Sequence, residues 1–247
     1  MLTALLTDIH GNLEALSACI DHARRLGADR YAFLGDLVGY GADPGPVIDV
    51  VRASVAHGAI AVLGNHDQAV AQKLRPSMNS DARKVIAWTR AQLDAVQLAF
   101  LGGLPLVEEE NSHLYVHANA WDPGRWEYIH GRNDAARSLR ATRCQITFCG
   151  HVHEPMLYQM TQAGHVTDFR PVADMGIPLA RRRRWLALPG SVGQPRDGIP
   201  ASSYAVFDSQ TAVLTFFRVP FDKEGAARKI RLAGLPERFG LRLQAGT

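Results

Sequence analysis

The sequence predicts an α/β protein, on three observations. From the N-terminus to Gly150, short apolar blocks alternate with amphipathic helix-like segments, the rhythm of parallel βαβ units. Beyond Gly150 closely spaced strand-like blocks follow one another, which read as an antiparallel region. Polar clusters also recur directly after the apolar blocks, where a parallel sheet presents the carboxyl ends of its strands.

Taken in order, Leu2–Thr7 reads as a buried strand. A helix follows, capped by Asn12, with Leu13, Leu16, Ile20 and Ala23 on one face and Gly27 as its stop. Arg30–Gly35 is a second strand, Pro46–Ala53 a helix and Ala59–Gly64 a third strand. Ser80–Leu93 reads as a helix capped by Ser80. Leu114–His117 and Gln145–Gly150 are strands, separated by a helix near Asp134–Thr142. Then come the strands Pro155–Met160, His165–Phe169, Arg184–Gly190, Ser203–Asp208 and Ala212–Val219, and one last helix over Asp222–Phe239 that packs back on the body. No linker, repeat or low-complexity tract interrupts the chain, which predicts one domain over residues 1–247.

Composition narrows the function. Apolar residues make up 47% of the 247, enough for a sizeable core, and charged residues 21%, which argues against disorder. The net charge of +3, from 27 Lys and Arg against 24 Asp and Glu, is too balanced to argue for a nucleic-acid partner. Most of the excess sits in Arg181, Arg182, Arg183 and Arg184, which read as a solvated loop or strand edge. Cys19, Cys144 and Cys149 show no paired spacing and are odd in number, a pattern of buried thiols in a reducing compartment. The N-terminus lacks a basic region and a cleavage site, and its apolar run is too short to span a membrane. The expected location is the cytoplasm.

The polar clusters carry the chemistry. Asp8 and His10 follow the first strand, Gly35-Asp36 the second and Gly64-Asn65-His66-Asp67 the third; His117 ends the fourth and Gly150-His151-Val152-His153 the fifth. Any one of these alone reads as an ordinary turn. Five in order at strand ends predict a shared crevice. Asp8, His10, Asp36, Asn65, His117, His151 and His153 offer oxygen and imidazole donors. Such a mixed set suits Mn, Fe, Zn or Ni, with Mg disfavoured because imidazole is a poor ligand for it. Seven donors exceed what one catalytic ion needs and match two ions sharing a carboxylate.

This set, in this order, resembles the signature of the calcineurin-like metallophosphoesterases, and Pro189–Gly198 resembles a loop of their small bacterial and archaeal branch. The resemblance implies a four-layer α/β/β/α sandwich of two mixed β-sheets flanked by helices. It implies a first metal on Asp8, His10, Asp36 and His153, a second on Asp36, Asn65, His117 and His151, and Asp36 as the bridge. It implies in-line hydrolysis of a phosphodiester, nucleotide or small phosphoester by a metal-bound hydroxide. His66 would protonate the leaving oxygen, and Asp67 would orient its imidazole and hold the charged form.

The sequence also departs from its relatives. The protein-phosphatase branch carries Asp-Arg-Gly where Gly39-Tyr40-Gly41 stands, and an arginine where Leu63 stands. Other groups would then hold the substrate: Trp121, Trp126 and Tyr128 by stacking, Arg125 and Arg196 on phosphate. A dinucleoside polyphosphate hydrolase and a protein-phosphatase-like enzyme are the alternatives within the class. Outside it stand a metal-binding scaffold on the same fold, as in the retromer subunit that lacks the catalytic histidine, and a nucleic-acid module using the arginine run.

Overall fold

The computed structural model describes residues 1–72 and 80–247. The elements run β1 (Leu2–Leu6), α1 (Leu13–Arg25), β2 (Arg30–Phe33), α2 (Pro44–Ala56), β3 (Ile60–Ala61), α3 (Asn65–Ala71), α4 (Ser80–Ala91) and α5 (Ala95–Gly103). They continue with β4 (Val107–Glu110), β5 (His113–Val116), α6 (Arg132–Arg140), β6 (Ile146–Phe148), β7 (Pro155–Met160), β8 (Val166–Phe169), β9 (Gly176–Pro178), β10 (Arg184–Pro189), β11 (Ser202–Asp208), β12 (Val213–Val219), α7 (Lys223–Leu232) and α8 (Glu237–Ala245). One six-stranded sheet has the order β3-β2-β1-β11-β12-β9, the other β4-β5-β6-β10-β7-β8.

Strand composition explains the layering. In β11, Tyr204 and Val206 point to one face while Ala205 and Phe207 point to the other, and all four are buried. A strand covered on both faces must be apolar throughout. The inner layer joins Leu5, Ala32, Phe148, Leu157, Ala187, Phe207 and Phe216 from both sheets. Outside the first sheet, α1 and α2 bury Leu16, Ile20, Val47 and Val51 against Ala4, Leu6, Phe33 and Tyr204. Outside the second, α6 buries Ala135 and Leu139 against Leu114, Val116 and Leu186. The architecture is therefore the four-layer sandwich of two mixed sheets that the sequence resemblance implies.

Several local expectations need correction. The last helix is two: α7 ends at Leu232 with Ala233 as its cap, Gly234 follows in the left-handed region at φ 67, and Pro236 caps the start of α8. The segment after Gly150 is not purely antiparallel, because β10 pairs parallel with β6 while pairing antiparallel with β7. Asn12 caps α1 as expected, accepting from the Ala15 N–H at 3.1 Å. The cap expected at Ser80 lies outside the described side chains. Among the described residues no helix is long and apolar enough to cross a membrane, and all three cysteines are free and buried.

Candidate active site

β1, β2 and β3 run parallel in one sheet, and β5, β6 and β10 in the other. Their carboxyl ends meet at one edge. The loops there are laced by backbone bonds: Asp8 N–H to Gly35 O at 3.1 Å, His10 N–H to Asp36 O at 2.9 Å, and Gly150 N–H to His117 O at 2.8 Å. The loop after β10 closes the set, with Val192 N–H on Thr7 O and Gly193 N–H on Asp8 O, each at 2.9 Å. The Ser191 hydroxyl donates to Asp8 O at 2.8 Å. A Cβ on Gly193 would lie 1.7 Å from Ile9 O, so only glycine permits this approach.

All seven expected metal ligands are brought together. His153 Nε2 lies 3.3 Å from Asp8 Oδ1, His10 Nε2 3.7 Å from Asp36 Oδ2, and His117 Nε2 3.4 Å from that same Asp36 oxygen. Asp36 thus stands between an Asp8–His10–His153 group and a His117–His151 group. Asn65 Oδ1 faces His117 Nε2 at 3.2 Å. Five of the seven (Asp8, His10, Asp36, His151 and His153) hold positive φ between 51 and 70, as do neighbouring Tyr40 and Trp126. Such backbone costs of order 1–3 kcal/mol per residue and gathers where function over-determines it.

The hydrogen bonding tests whether cations fit. His10 Nδ1 donates to Val38 O at 3.3 Å, His153 Nδ1 to Gln194 O at 2.6 Å, His117 Nδ1 to Leu34 O at 2.8 Å and His151 Nε2 to Trp126 O at 2.9 Å. In its neutral form, the form that ligates a metal, each ring turns a lone pair inward. Two pairs of lone pairs face each other, His10 Nε2 with His153 Nε2 and His117 Nε2 with His151 Nδ1, both at 3.1 Å. Carboxylate and amide oxygens fill the rest of the shell. With the rings neutral the centre is lined by acceptors and fits a divalent metal, and outer N–H groups donating to carbonyls are how ligating histidines are oriented.

Without a metal the same groups strain against one another. Burial pushes Asp8 up to about 7 against the attraction of His117. Burial also opposes ionisation of Asp36, but the charges of His117 and His66 outweigh it and hold that carboxyl well below its usual range. Burial would lower His117, yet Asp36 raises it to about 9. His151 is pushed down to about 3 by burial and by His117.

His66 and Asp67 part company with expectation. His66 N–H donates to Asp36 Oδ1 at 2.8 Å, and its ring lies 4.9 Å from the His10 ring. Asp67, however, does not orient that ring. Its Oδ1 accepts from Val38 N–H at 3.1 Å and its Oδ2 from Gly64 N–H at 3.0 Å, while His66 Nδ1 is buried with no hydrogen-bond partner. Sitting third in α3, the Asp67 carboxylate staples the helix start to the β2–α2 loop. Burial lowers His66, with Asp36 pulling the other way, so the charged form that Asp67 was expected to hold is not favoured.

The expected substrate contacts divide. The Tyr128 ring stacks on His151 at 4.0 Å and 18°. Trp126 packs edge-on to His117 at 5.9 Å and donates from Nε1 to Gln68 at 3.2 Å. Arg196 lies beside Tyr40, its guanidinium carbon 5.9 Å from the ring centroid. Two residues do not reach the cluster. Trp121 is held by Glu127 at 3.1 Å and covered by Arg137 at 4.6 Å. Arg125 is exposed and lies between Asp122 at 3.9 Å and Glu127 at 3.8 Å. Local acids compensate it, so a phosphate role does not follow. In the arginine run, Arg183 donates to Gln159 and Arg184 to the carbonyls of Thr142 and Cys144, leaving only half the run in solvent.

Tyr40 and Thr7 were missed. Thr7 donates to Asp8 Oδ2 at 2.7 Å; the signal was a hydroxyl directly before the first acid, at the end of a largely apolar strand. Tyr40 packs 4.5 Å from His66 and 4.6 Å from His10. Its signal was the flanking pair of glycines: a Cβ on Gly39 would meet His66 Nδ1 at 2.5 Å, and one on Gly41 would meet His10 O at 2.4 Å.

A family model described as the calcineurin-like phosphoesterase superfamily domain matches residues 1–212. A curated relative, an uncharacterized protein of Methanocaldococcus jannaschii, is 34% identical over 250 residues, spanning 99% of this chain and 98% of the relative. The crystal structure of a metallophosphoesterase from Sphaerobacter thermophilus is 35% identical with a TM-score of 0.89, covering 100% of this chain and 99% of that one. A hypothetical protein from Pyrococcus horikoshii shares the fold at TM-score 0.81 and 19% identity, covering 100% and 98%.

Proposed function

We propose that this chain, which belongs to the calcineurin-like phosphoesterase superfamily, is a hydrolase of phosphate esters that uses two divalent ions. The observation that carries this reading is the pair of inward lone-pair contacts at 3.1 Å, with Asp36 between them. Asp8, His10, Asp36 and His153 would hold one ion, and Asp36, Asn65, His117 and His151 the other. Mn, Fe, Zn or Ni suits these donors. Bound there, the ions would supply Lewis-acid polarisation of the phosphoryl oxygens and a nucleophile at neutral pH.

The protein's own groups do the rest. A new bond from water oxygen to phosphorus forms as the bond to the leaving oxygen breaks; the water loses a proton and the leaving oxygen gains one. His66 stands at the centre, its backbone N–H on Asp36 Oδ1 and its ring Nδ1 without a partner; a bound phosphate's negative charge favours protonation of the ring, which then donates to that oxygen. Arg196 directs donors at the phosphoryl oxygens. Tyr128 and Trp126 wall the mouth and keep His151 in place. The substrate is a diester, a nucleotide or a small phosphoester. The apolar layer shared by both sheets supports one working domain, and three free thiols suit a cytoplasmic setting.

A hydrolysis panel tests this. A phosphomonoester, a phosphodiester and a dinucleoside polyphosphate are each offered with Mn, Ni, Zn or Mg, with chelated protein as control. Turnover of at least one ester that requires added metal is expected. Absence of metal-dependent turnover across the panel would overturn the reading.

A further inference from the structure

The two ligand groups are held by different parts of the chain. Around Asp8, His10 and His153 the outer contacts come from Val38 O, Gln194 O and the loop after β10, all buried. None of these contacts involves the segment that follows β5. Around His117, His151 and Asn65 one residue of that segment recurs. Trp126 O accepts from His151 Nε2 at 2.9 Å. The Trp126 ring stands edge-on to His117, with 5.9 Å between centroids and 66° between planes. Its Nε1 donates to Gln68 Oε1 at 3.2 Å, and Gln68 lies about one turn along α3 from Asn65. Carbonyl, ring and indole N–H of a single residue thus lead to three different ligands.

The chain is bent to allow this. Trp126 holds φ 60, in the left-handed region that a bulky side chain seldom enters. The bend is closed by Asn119, which is fully buried. Its Nδ2 donates to Glu127 O at 2.8 Å, and its Oδ1 accepts from Asp122 N–H at 2.9 Å. Glycine would turn the same corner without strain, but it would bring neither a ring nor a donor. The indole is half-buried and packs against the core beneath the first sheet's outer helices. A ring engaged on these sides is a support, not the open stacking platform that the sequence suggested.

We infer that Trp126 is the positioning residue of the second ion: it sets His117, His151 and Asn65 relative to one another, while the ligands of the first ion do not depend on it. The inference rests on the two-ion reading proposed above. Partners that orient ligating histidines typically carry about 10–100-fold in metal affinity.

Mn binding to the full-length, previously chelated protein tests this. Calorimetry and elemental analysis count the ions, and electron paramagnetic resonance reads whether two Mn ions are coupled. Wild-type protein should take up a coupled pair. Trp126→Gly accepts the left-handed backbone and removes the ring and its donor. It should weaken one binding step by about 10–100-fold, leave the other unmoved and give the spectrum of isolated Mn. Trp126→Phe restores the ring edge on His117 and should recover part of the loss. Arg125→Gln, a change at the exposed neighbour, should move neither step. Two backgrounds identify the ion. In His153→Ala, which spares the second group, adding Trp126→Gly should weaken the ion that remains; in Asn65→Ala it should leave the first ion's affinity unchanged. Equal weakening of both steps by Trp126→Gly, or of neither, would overturn the inference, as would a loss confined to the ion held by His153. Wild-type protein that takes up a single ion would instead overturn the two-ion reading, and the inference with it.

Discussion

The Nε2 atoms of His10 and His153 face each other at 3.1 Å, each ring having committed its other nitrogen to a backbone carbonyl. Two lone pairs at that separation repel; at the matching His117–His151 contact of 3.1 Å, Asp36 keeps His117 protonated while no metal is bound. A dication turns the first contact into two bonds and takes the place of the His117 proton at the second, so metal binding should stabilise the fold. At a free ion concentration one hundred times its Kd the linkage is about 2.7 kcal/mol, or about 5–10 °C in Tm for a chain of this size. Thermal scans of chelated protein with and without Mn, Zn or Ni check this. Asp36→Asn should abolish most of the shift, because both groups share that carboxylate, whereas His153→Ala should remove only part. A chelated protein whose Tm ignores all three metals would refute the centre.

How legible this was in the sequence depends on range. Asp8, Asp36, Asn65, His117 and His151 follow strands that run parallel, so strand ends alone placed them at one edge. The role of Asp67 was not legible. Its neighbour in sequence is His66, but its carboxylate points to Val38 and Gly64, a choice set by the first turn of α3. Trp121 and Arg125 belong to the same stretch as Trp126 and Tyr128, yet the left-handed turn at Trp126, φ 60, separates the two sets. α5 lacks a polar face and so showed no helical period; the Asp94–Gln97 capping box was its only local mark. The short edge strands β4 and β9 are Val-Glu-Glu-Glu and Gly-Ile-Pro, compositions suited to an exposed edge but poor as strand signals.

His66 should matter to turnover and little to metal. It is placed by its backbone N–H on Asp36 and by the ring of Tyr40. His66→Ala should lower kcat by ~10²–10⁴ with metal content unchanged by elemental analysis. Gly39→Ala should act in the same direction by displacing the imidazole, since a Cβ there would lie 2.5 Å from His66 Nδ1 and the backbone holds φ 96. If His66→Ala keeps full turnover, the proton-donor assignment fails.

Asp67→Asn separates a backbone staple from a catalytic partner. Both carboxylate oxygens accept amide N–H groups, and the substituted amide can accept only one of them, with its own NH₂ turned against the other. The expected cost is about 1–3 kcal/mol in denaturant unfolding. If the staple is its whole task, the pH profile of the residual activity should keep its midpoints. A displaced midpoint would restore Asp67 as a direct modulator of His66.

Acid should unfold the metal-free protein earlier than an ordinary α/β chain. His10, His66, His151 and His153 are held below their usual value by burial, so these four imidazoles take up protons on unfolding once the pH is below about 6.5. Burial acts oppositely on Asp8 and Asp67, each raised to about 7, so the folded chain keeps two protons that the unfolded chain releases above about 3.9. Asp36 is ionised and His117 protonated in both states across that window and contribute nothing. The unfolded state therefore binds more protons in net, four imidazoles against two carboxyls, and stability should fall by more than ~1.4 kcal/mol for each pH unit lost between about 6.5 and 4. Bound metal suppresses protonation of its ligands and should flatten the upper part of this dependence. Urea unfolding at several pH values, chelated and metal-loaded, measures both slopes; a chelated protein whose stability is level from 6.5 to 4 would show that these imidazoles are not buried as neutral rings.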